Sequence, residues 1–125
     1  MLNKILTVLA GLVSLMLLAI GARFLADPAG AAAELGMPLL DGLGRSTQIG
    51  DLTAFFVTAG AFGLAGLIRR NAILLYTPAA LVGLAAGFRT LAWLLQDAAL
   101  APQIGPEIVM FIIYIAAARS MARSG

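Results

Sequence analysis

Four long, nearly uncharged apolar segments constrain the fold of this chain more than any other feature. They lie at about residues 5–25, 50–68, 72–95 and 104–122 of the 125-residue sequence. A helix needs about 20 residues to cross a hydrocarbon core of about 30 Å, and each segment comes near that length. The sequence therefore predicts an all-α integral membrane four-helix bundle, a single transmembrane domain over residues 1–125 with an outer loop at 26–49.

Composition excludes several other classes of protein. Hydrophobic residues make up 62% of the chain and charged residues 11%, whereas a soluble domain averages about 45–50% and about 25%. An ordinary soluble domain, a disordered chain and a nucleic-acid-binding protein are thereby excluded. The chain has no Cys and no His, which removes thiolate and imidazole ligands and the commonest general base. We therefore expect no catalytic residue, no metal site and no cofactor.

The basic residues are divided unevenly between the two sides of the predicted bundle. Arg23 and Arg45 lie on the side of the long loop, and Arg89 lies within the third segment. The opposite side receives five basic residues: Lys4, Arg69, Arg70, Arg119 and Arg123. The positive-inside rule then predicts that both termini are cytoplasmic. The first apolar run is longer than the roughly 7–15 residues of a signal-peptide h-region, so we interpret it as a retained span.

The long loop contains residues that typically begin and end a short helix. Asp27 precedes Pro28, and Gly36 follows an alanine-rich stretch. Asp as N-cap, Pro at the first helical position and Gly after the last turn predict a helix at about Pro28–Leu35, lying on the outer membrane surface. We expect the remainder of the loop, residues 39–50, to fold back over the bundle.

Small residues recur at helical spacing in the second and third segments. The helix-packing candidates are Gly60, Gly63, Gly66, Gly83 and Gly87. Between membrane helices the hydrophobic effect supplies little attraction, so close backbone approach matters. Two interpretations stay open: packing within one bundle, which we favour, and an interface between molecules.

Each predicted span contributes one charge to the outer half of the bundle. These charges, with a glutamine at the same level, are the candidates for ligand binding or for buried ion pairs: Arg23, Gln48, Asp51, Arg89 and Glu107. Charges at this depth are costly and usually pair inside the bundle. They form either a polar pocket open to the outer face or salt bridges that fix helix register, the second being favoured. Arg89 is expected to pair with Glu107 rather than Asp51, because helices joined by a short loop usually pack together.

Several sequence blocks resemble a known family. They are Arg23-Phe24-Leu25 with Asp27-Pro28, Gly36-Met37-Pro38, Gly44 to Asp51 with Phe55-Phe56, Gly87-Phe88-Arg89 and Pro106-Glu107. Together they resemble a family of small four-span bacterial proteins known as a domain of unknown function. That family is itself loosely similar to DoxX/DoxD-like membrane proteins, some of which are linked to quinone-dependent oxidation. The resemblance implies a multi-pass protein of the bacterial inner membrane and no specific activity.

Three functional hypotheses follow. The first is a non-enzymatic protein that acts by packing in the lipid bilayer, as an accessory or scaffolding subunit beside partner membrane proteins or as a homo-oligomer. The second is an outer-face binding module for a quinone, a lipid or another small amphiphile, based on the four charges. The third is a small transporter with Glu107 as its membrane-embedded acid. The absence of catalytic groups and the small-residue faces favour the first hypothesis. The transporter ranks third, because the inner halves of the spans are almost wholly apolar.

Overall fold

Four of the five helices are long and apolar enough to cross a membrane. The computed structural model describes residues 1–124, with side chains through Arg123. Within those residues the chain forms helices and no strand: α1 (Leu2–Ala26), α2 (Pro28–Glu34), α3 (Gly42–Ile68), α4 (Ala72–Leu95) and α5 (Ile104–Ser124). Only the seven-residue α2 is too short to span. The predicted all-α, four-span architecture is confirmed, and the protein is an integral membrane protein.

The four long helices run antiparallel to their neighbours in the order α1, α3, α4, α5. α1 packs most closely on α3, and α4 on α5, while α3 also contacts α4 and α1 also contacts α5. One end of the bundle, called here the loop end, carries α2 and the connection between α4 and α5. The other, called the terminal end, carries residues 1–4, the turn at 69–71 and residues 119–124.

The short helix of the long loop is confirmed. α2 covers Pro28–Glu34, and the side chain of Asp27 accepts a hydrogen bond of 3.2 Å from the backbone N–H of Gly30. The helix ends where Gly36 adopts a left-handed φ of 81°, a conformation that glycine takes without steric cost. α2 buries Ala31 and Ala32 and packs against α1.

The prediction that residues 39–50 fold back as a loop is wrong, because α3 begins at Gly42. Asp41 has an extended N-cap backbone, and its carboxylate lies 3.2 Å from Arg45 Nη2, one turn into the helix. Gln48 holds the preceding chain by hydrogen bonds to Leu40 N and Pro38 O. These local bonds stabilise the start of the helix despite the glycines in the segment. The 27 residues of α3 extend over about 40 Å, so its first turns continue beyond a core of about 30 Å.

Glycines bring the helices of each pair into close contact. A Cβ on Gly60 would lie 2.6 Å from Ser14 O and 2.9 Å from Leu18 N, both backbone atoms of α1. Cβ atoms on Gly66 and Gly83 would meet Leu75 and Phe111. Gly63 contacts a buried polar pair described below. Gly87 is the exception among the five packing candidates: it is exposed, and a Cβ there would meet nothing within 4 Å.

Candidate functional site

Arg89 and Glu107 form an ion pair between α4 and α5 at the loop end. Arg89 Nε lies 3.0 Å from Glu107 Oε1, with side chains 32% and 9% exposed. The antiparallel packing places the last turns of α4 beside the first turn of α5, where Glu107 also faces the positive end of the helix dipole. The expected pairing of Arg89 with Glu107, rather than with Asp51, is confirmed.

A cavity of about 190 Å³ lies against this ion pair. It is lined by Leu35, Leu52, Phe55, Phe56, Ala85, Arg89 and Glu107. Phe55 and Phe56 meet edge to face with ring centroids 5.1 Å apart, and Phe56 stacks on Phe24 at 6.1 Å. An engineered apolar cavity of about 150 Å³ in another protein binds benzene, so this cavity has room for one aromatic ring. It combines aromatic walls with one cation and one carboxylate.

Glu107 keeps unused hydrogen-bonding capacity. The residue is 7% exposed. Although its Oε1 is close to Arg89 Nε, that oxygen accepts no well-aligned hydrogen bond from the side chains and backbone that the structure describes. An ionised carboxylate accepts several hydrogen bonds, and buried polar atoms in proteins normally have a partner. A donor group on a small molecule in the cavity would therefore find an acceptor.

Arg23 lies at the corner of α1 and α2, away from the cavity lining. Its guanidinium pairs with Glu34 and lies 3.6 Å from Asp27 Oδ2, and its side chain is 40% exposed. Exposed ion pairs of this kind contribute little stability. These contacts hold α2 against the end of α1.

Gln48 and Asp51 belong to a third place, a groove of about 580 Å³ between α3 and the chain that precedes it. Gln48 is 7% exposed. Its Oε1 accepts from Leu40 N at 2.9 Å and its Nε2 donates to Pro38 O at 3.0 Å. Asp51 is exposed on the wall of this groove. The five candidates are thus distributed over three places, and the cavity brings together only Arg89 and Glu107.

A buried hydrogen bond between Ser14 and Tyr114 was not expected from the sequence. The two hydroxyl oxygens are 2.7 Å apart, and Ser14 Oγ is also 2.8 Å from the Ala10 carbonyl oxygen. If Ser14 donates to that carbonyl, then Tyr114 donates to Ser14. Gly63 of α3 lies against both hydroxyls, and a Cβ there would come within 2.9 Å of the Tyr114 oxygen.

A signal for this pair existed in the sequence. Tyrosines of membrane helices concentrate at the interfaces, whereas Tyr114 stands in the middle of the fourth apolar segment. Ser14 stands in the middle of the first. The pair joins α1 to α5 across the bundle centre and has no connection to the cavity lining.

The chemistry of the site rests on the ion pair, the two phenylalanines and the cavity. Among residues 1–124, no three Asp, Glu, His or Cys side chains are grouped so that they could hold a metal ion. The cavity suits a single ring or short polar group bound by aromatic contact and charge.

Comparisons of the chain with protein-family models, with curated proteins and with solved structures find no match.

Proposed function

We propose that this protein is non-enzymatic and acts through helix packing in the membrane, as an accessory or scaffolding subunit or as a homo-oligomer. The observation that supports this is an apolar groove of about 670 Å³ on the outside of the bundle, between α4 and α5. Its lining residues are Ala80, Gly83, Leu84, Ala86, Gly87, Thr90, Ile108 and Phe111. Ala80 and Gly87 are exposed on this surface and let the backbone of another helix approach closely, which favours van der Waals packing between helices in lipid.

A leucine at Gly87 tests this function, because a Cβ there would meet nothing within 4 Å outside its own turn of α4. We expect Gly87→Leu to abolish oligomers, or the capture of partner subunits, without lowering the stability of the monomer. The measurement is mild-detergent extraction from the native membrane, followed by native mass spectrometry.

Gly50→Leu is the matched control, since Gly50 is also helical and exposed, and a Cβ there would likewise meet nothing within 4 Å outside its own turn of α3. It should leave assembly intact. A wild-type protein that is extracted as a monomer without protein partners would contradict the proposed function.

The second candidate is a binding module for a quinone, a lipid or another small amphiphile, and the cavity beside Arg89 and Glu107 favours it. We expect a short-chain benzoquinone to bind there, with the Arg89 guanidinium donating a hydrogen bond to one of its carbonyl oxygens. Ala85→Met places a larger side chain into the cavity and should abolish binding, as measured by titration of the purified protein. Ala80→Met, in the outer groove, is the control and should leave binding intact. Equal binding by both variants would remove this candidate.

The transporter hypothesis stays in third place. Among residues 1–123, the buried polar and charged side chains are those of Ser14, Gln48 and Glu107, besides the Tyr114 hydroxyl. Ser14 and Tyr114 bond to each other, and Gln48 is occupied by the loop before α3. These groups provide no basis for a polar path from end to end.

The proposed setting is the bacterial inner membrane, on the resemblance to the four-span family and its DoxX-like relatives, with both termini cytoplasmic. Because the chain has no Cys, single-cysteine labelling tests this orientation. Leu40→Cys at the loop end should react with an impermeant thiol reagent in intact cells. Arg69→Cys at the terminal end should react only after the membrane is opened. The reverse pattern would invert the topology.

A further inference from the structure

The terminal end of the bundle carries basic side chains and no acidic ones. The basic residues there are Lys4, Arg69, Arg70, Arg119 and Arg123. All six acidic residues of the chain belong to the loop end. Among described residues of the terminal end, charge is therefore not neutralised by neighbouring carboxylates, and an anionic partner would meet an unopposed positive field.

A groove of about 630 Å³ opens between α1 and α5 at this end. The apolar part of its lining is formed by Leu2, Leu6, Ile112, Ile115 and Ala116. Arg119 and Arg123 also line this groove. They are exposed and lie one helical turn apart on the same face of α5. Side chains four residues apart on a helix are neighbours, so both guanidinium groups reach one anion.

Asn3 and Ser120 form a polar wall of the same groove. Their side chains hydrogen-bond to each other across the seam between α1 and α5. On the other side of this wall, a second groove of about 500 Å³ is lined by Lys4 and Arg70 among its residues. The basic rim therefore continues around the seam.

We propose that the groove between α1 and α5 binds an anionic glycerophospholipid from the leaflet at the terminal end. The acyl chains lie on the leucine and isoleucine walls, and the phosphate is held by Arg119 and Arg123. Guanidinium groups bind phosphate through paired, charge-assisted hydrogen bonds. Basic pockets between membrane helices are the usual sites for such headgroups.

A comparison within the molecule supports the choice of an anionic lipid. The loop-end groove beside Asp51 is similar in size, about 580 Å³, and also mostly apolar, yet its charged residue is an acid. Shape and apolar surface alone would give both grooves the same lipid. The charge on the rim makes the terminal-end groove selective for a negative headgroup. This inference is independent of the proposed function, since it needs neither a second subunit nor a ligand in the cavity.

The test is lipid titration of the purified full chain followed by native mass spectrometry. The probes are phosphatidylglycerol and phosphatidylcholine with identical acyl chains. We expect wild type to prefer phosphatidylglycerol. Removing a basic residue near a membrane surface weakens anionic binding about fivefold, so the double variant Arg119→Gln/Arg123→Gln should lose on the order of 25-fold. Both side chains are exposed, and circular dichroism will verify that the variant remains folded.

The matched control is Arg45→Gln/Arg69→Gln, which has the same net charge and changes no residue of the groove. It should retain the wild-type preference for phosphatidylglycerol. Equal affinity of wild type for the two lipids would overturn the proposal. Equal weakening by the two double variants would overturn it as well, since binding would then reflect net charge rather than this groove.

Discussion

Gly60→Ala is expected to destabilise the bundle by about 1–3 kcal/mol, the usual cost of forcing extra atoms into a well-packed core. The added methyl group would lie 2.6 Å from the Ser14 carbonyl oxygen and 2.9 Å from Leu18 N. Those atoms belong to the backbone of α1, so no side-chain rotation relieves the clash and the two helices must separate. The measurement is the thermal unfolding midpoint in a single detergent.

Gly50→Ala provides the control in the same helix. It introduces the same methyl group where nothing lies within 4 Å. Alanine is favoured over glycine in helix interiors by about 0.5–1 kcal/mol, so this variant should be as stable as wild type or more stable. If the two variants unfold at the same temperature, then α1 and α3 are not in contact at Gly60.

The second large effect concerns the pair Arg89 and Glu107. Glu107→Gln leaves the arginine without its counter-charge, and Arg89→Met leaves a carboxylate that is only 7% exposed. A single uncompensated charge within a membrane costs about 2.5–3.5 kcal/mol on insertion scales, and more deeply buried charges cost more. Each single variant should therefore be less stable than the double variant, because the double variant leaves no charge behind. A double-mutant cycle on thermal stability measures this coupling.

The ion pair of Arg45 and Asp41 is the matched control for that cycle. Arg45 Nη2 lies 3.2 Å from Asp41 Oδ1, a distance similar to that of the buried pair. The side chains of Arg45 and Asp41, however, are 49% and 100% exposed. Exposed ion pairs contribute little to stability, so the cycle Arg45→Gln with Asp41→Asn should be nearly additive. Strictly additive effects at Arg89 and Glu107 would mean that the pair does not contribute to the fold in the membrane.

The features that sequence predicted well are those set by local chemistry or by membrane thickness. The four spans follow from apolar length, and α2 follows from Asp27, Pro28 and Gly36. The partner of Arg89 was also predictable. The separation of Glu107 from Arg119 is 12 residues, or about 18 Å, which is too short to place both charges at opposite interfaces. Together with the short connection between their helices, this favoured Arg89 as the partner of Glu107.

The remaining features depend on packing between segments far apart in the chain. Glycines at 42, 44 and 50 argue against a helix start at Gly42, and the bonds made by Gln48 to residues 38 and 40 become visible only in the fold. Whether Gly87 faces α5 or the outside of the bundle likewise depends on where α5 packs against α4. Arg23, Asp51 and the pair at the cavity share one depth by helix arithmetic. The depth of a residue does not determine which side of its helix it lies on. This difference separates the residues into three places.

The pairing of charges on α4 and α5 also has a consequence for biosynthesis. Arg89 precedes Glu107 by 18 residues in the chain, so the third span is synthesised before the carboxylate that neutralises its charge. The third span therefore enters with an unneutralised guanidinium, while α1 and α3 already have their glycine-lined contact available. Completion of the C-terminal hairpin supplies the carboxylate and lowers the free energy of both segments at once. We therefore expect the last two spans to insert as one unit, and a released chain truncated before residue 104 should retain its third span poorly in the bilayer.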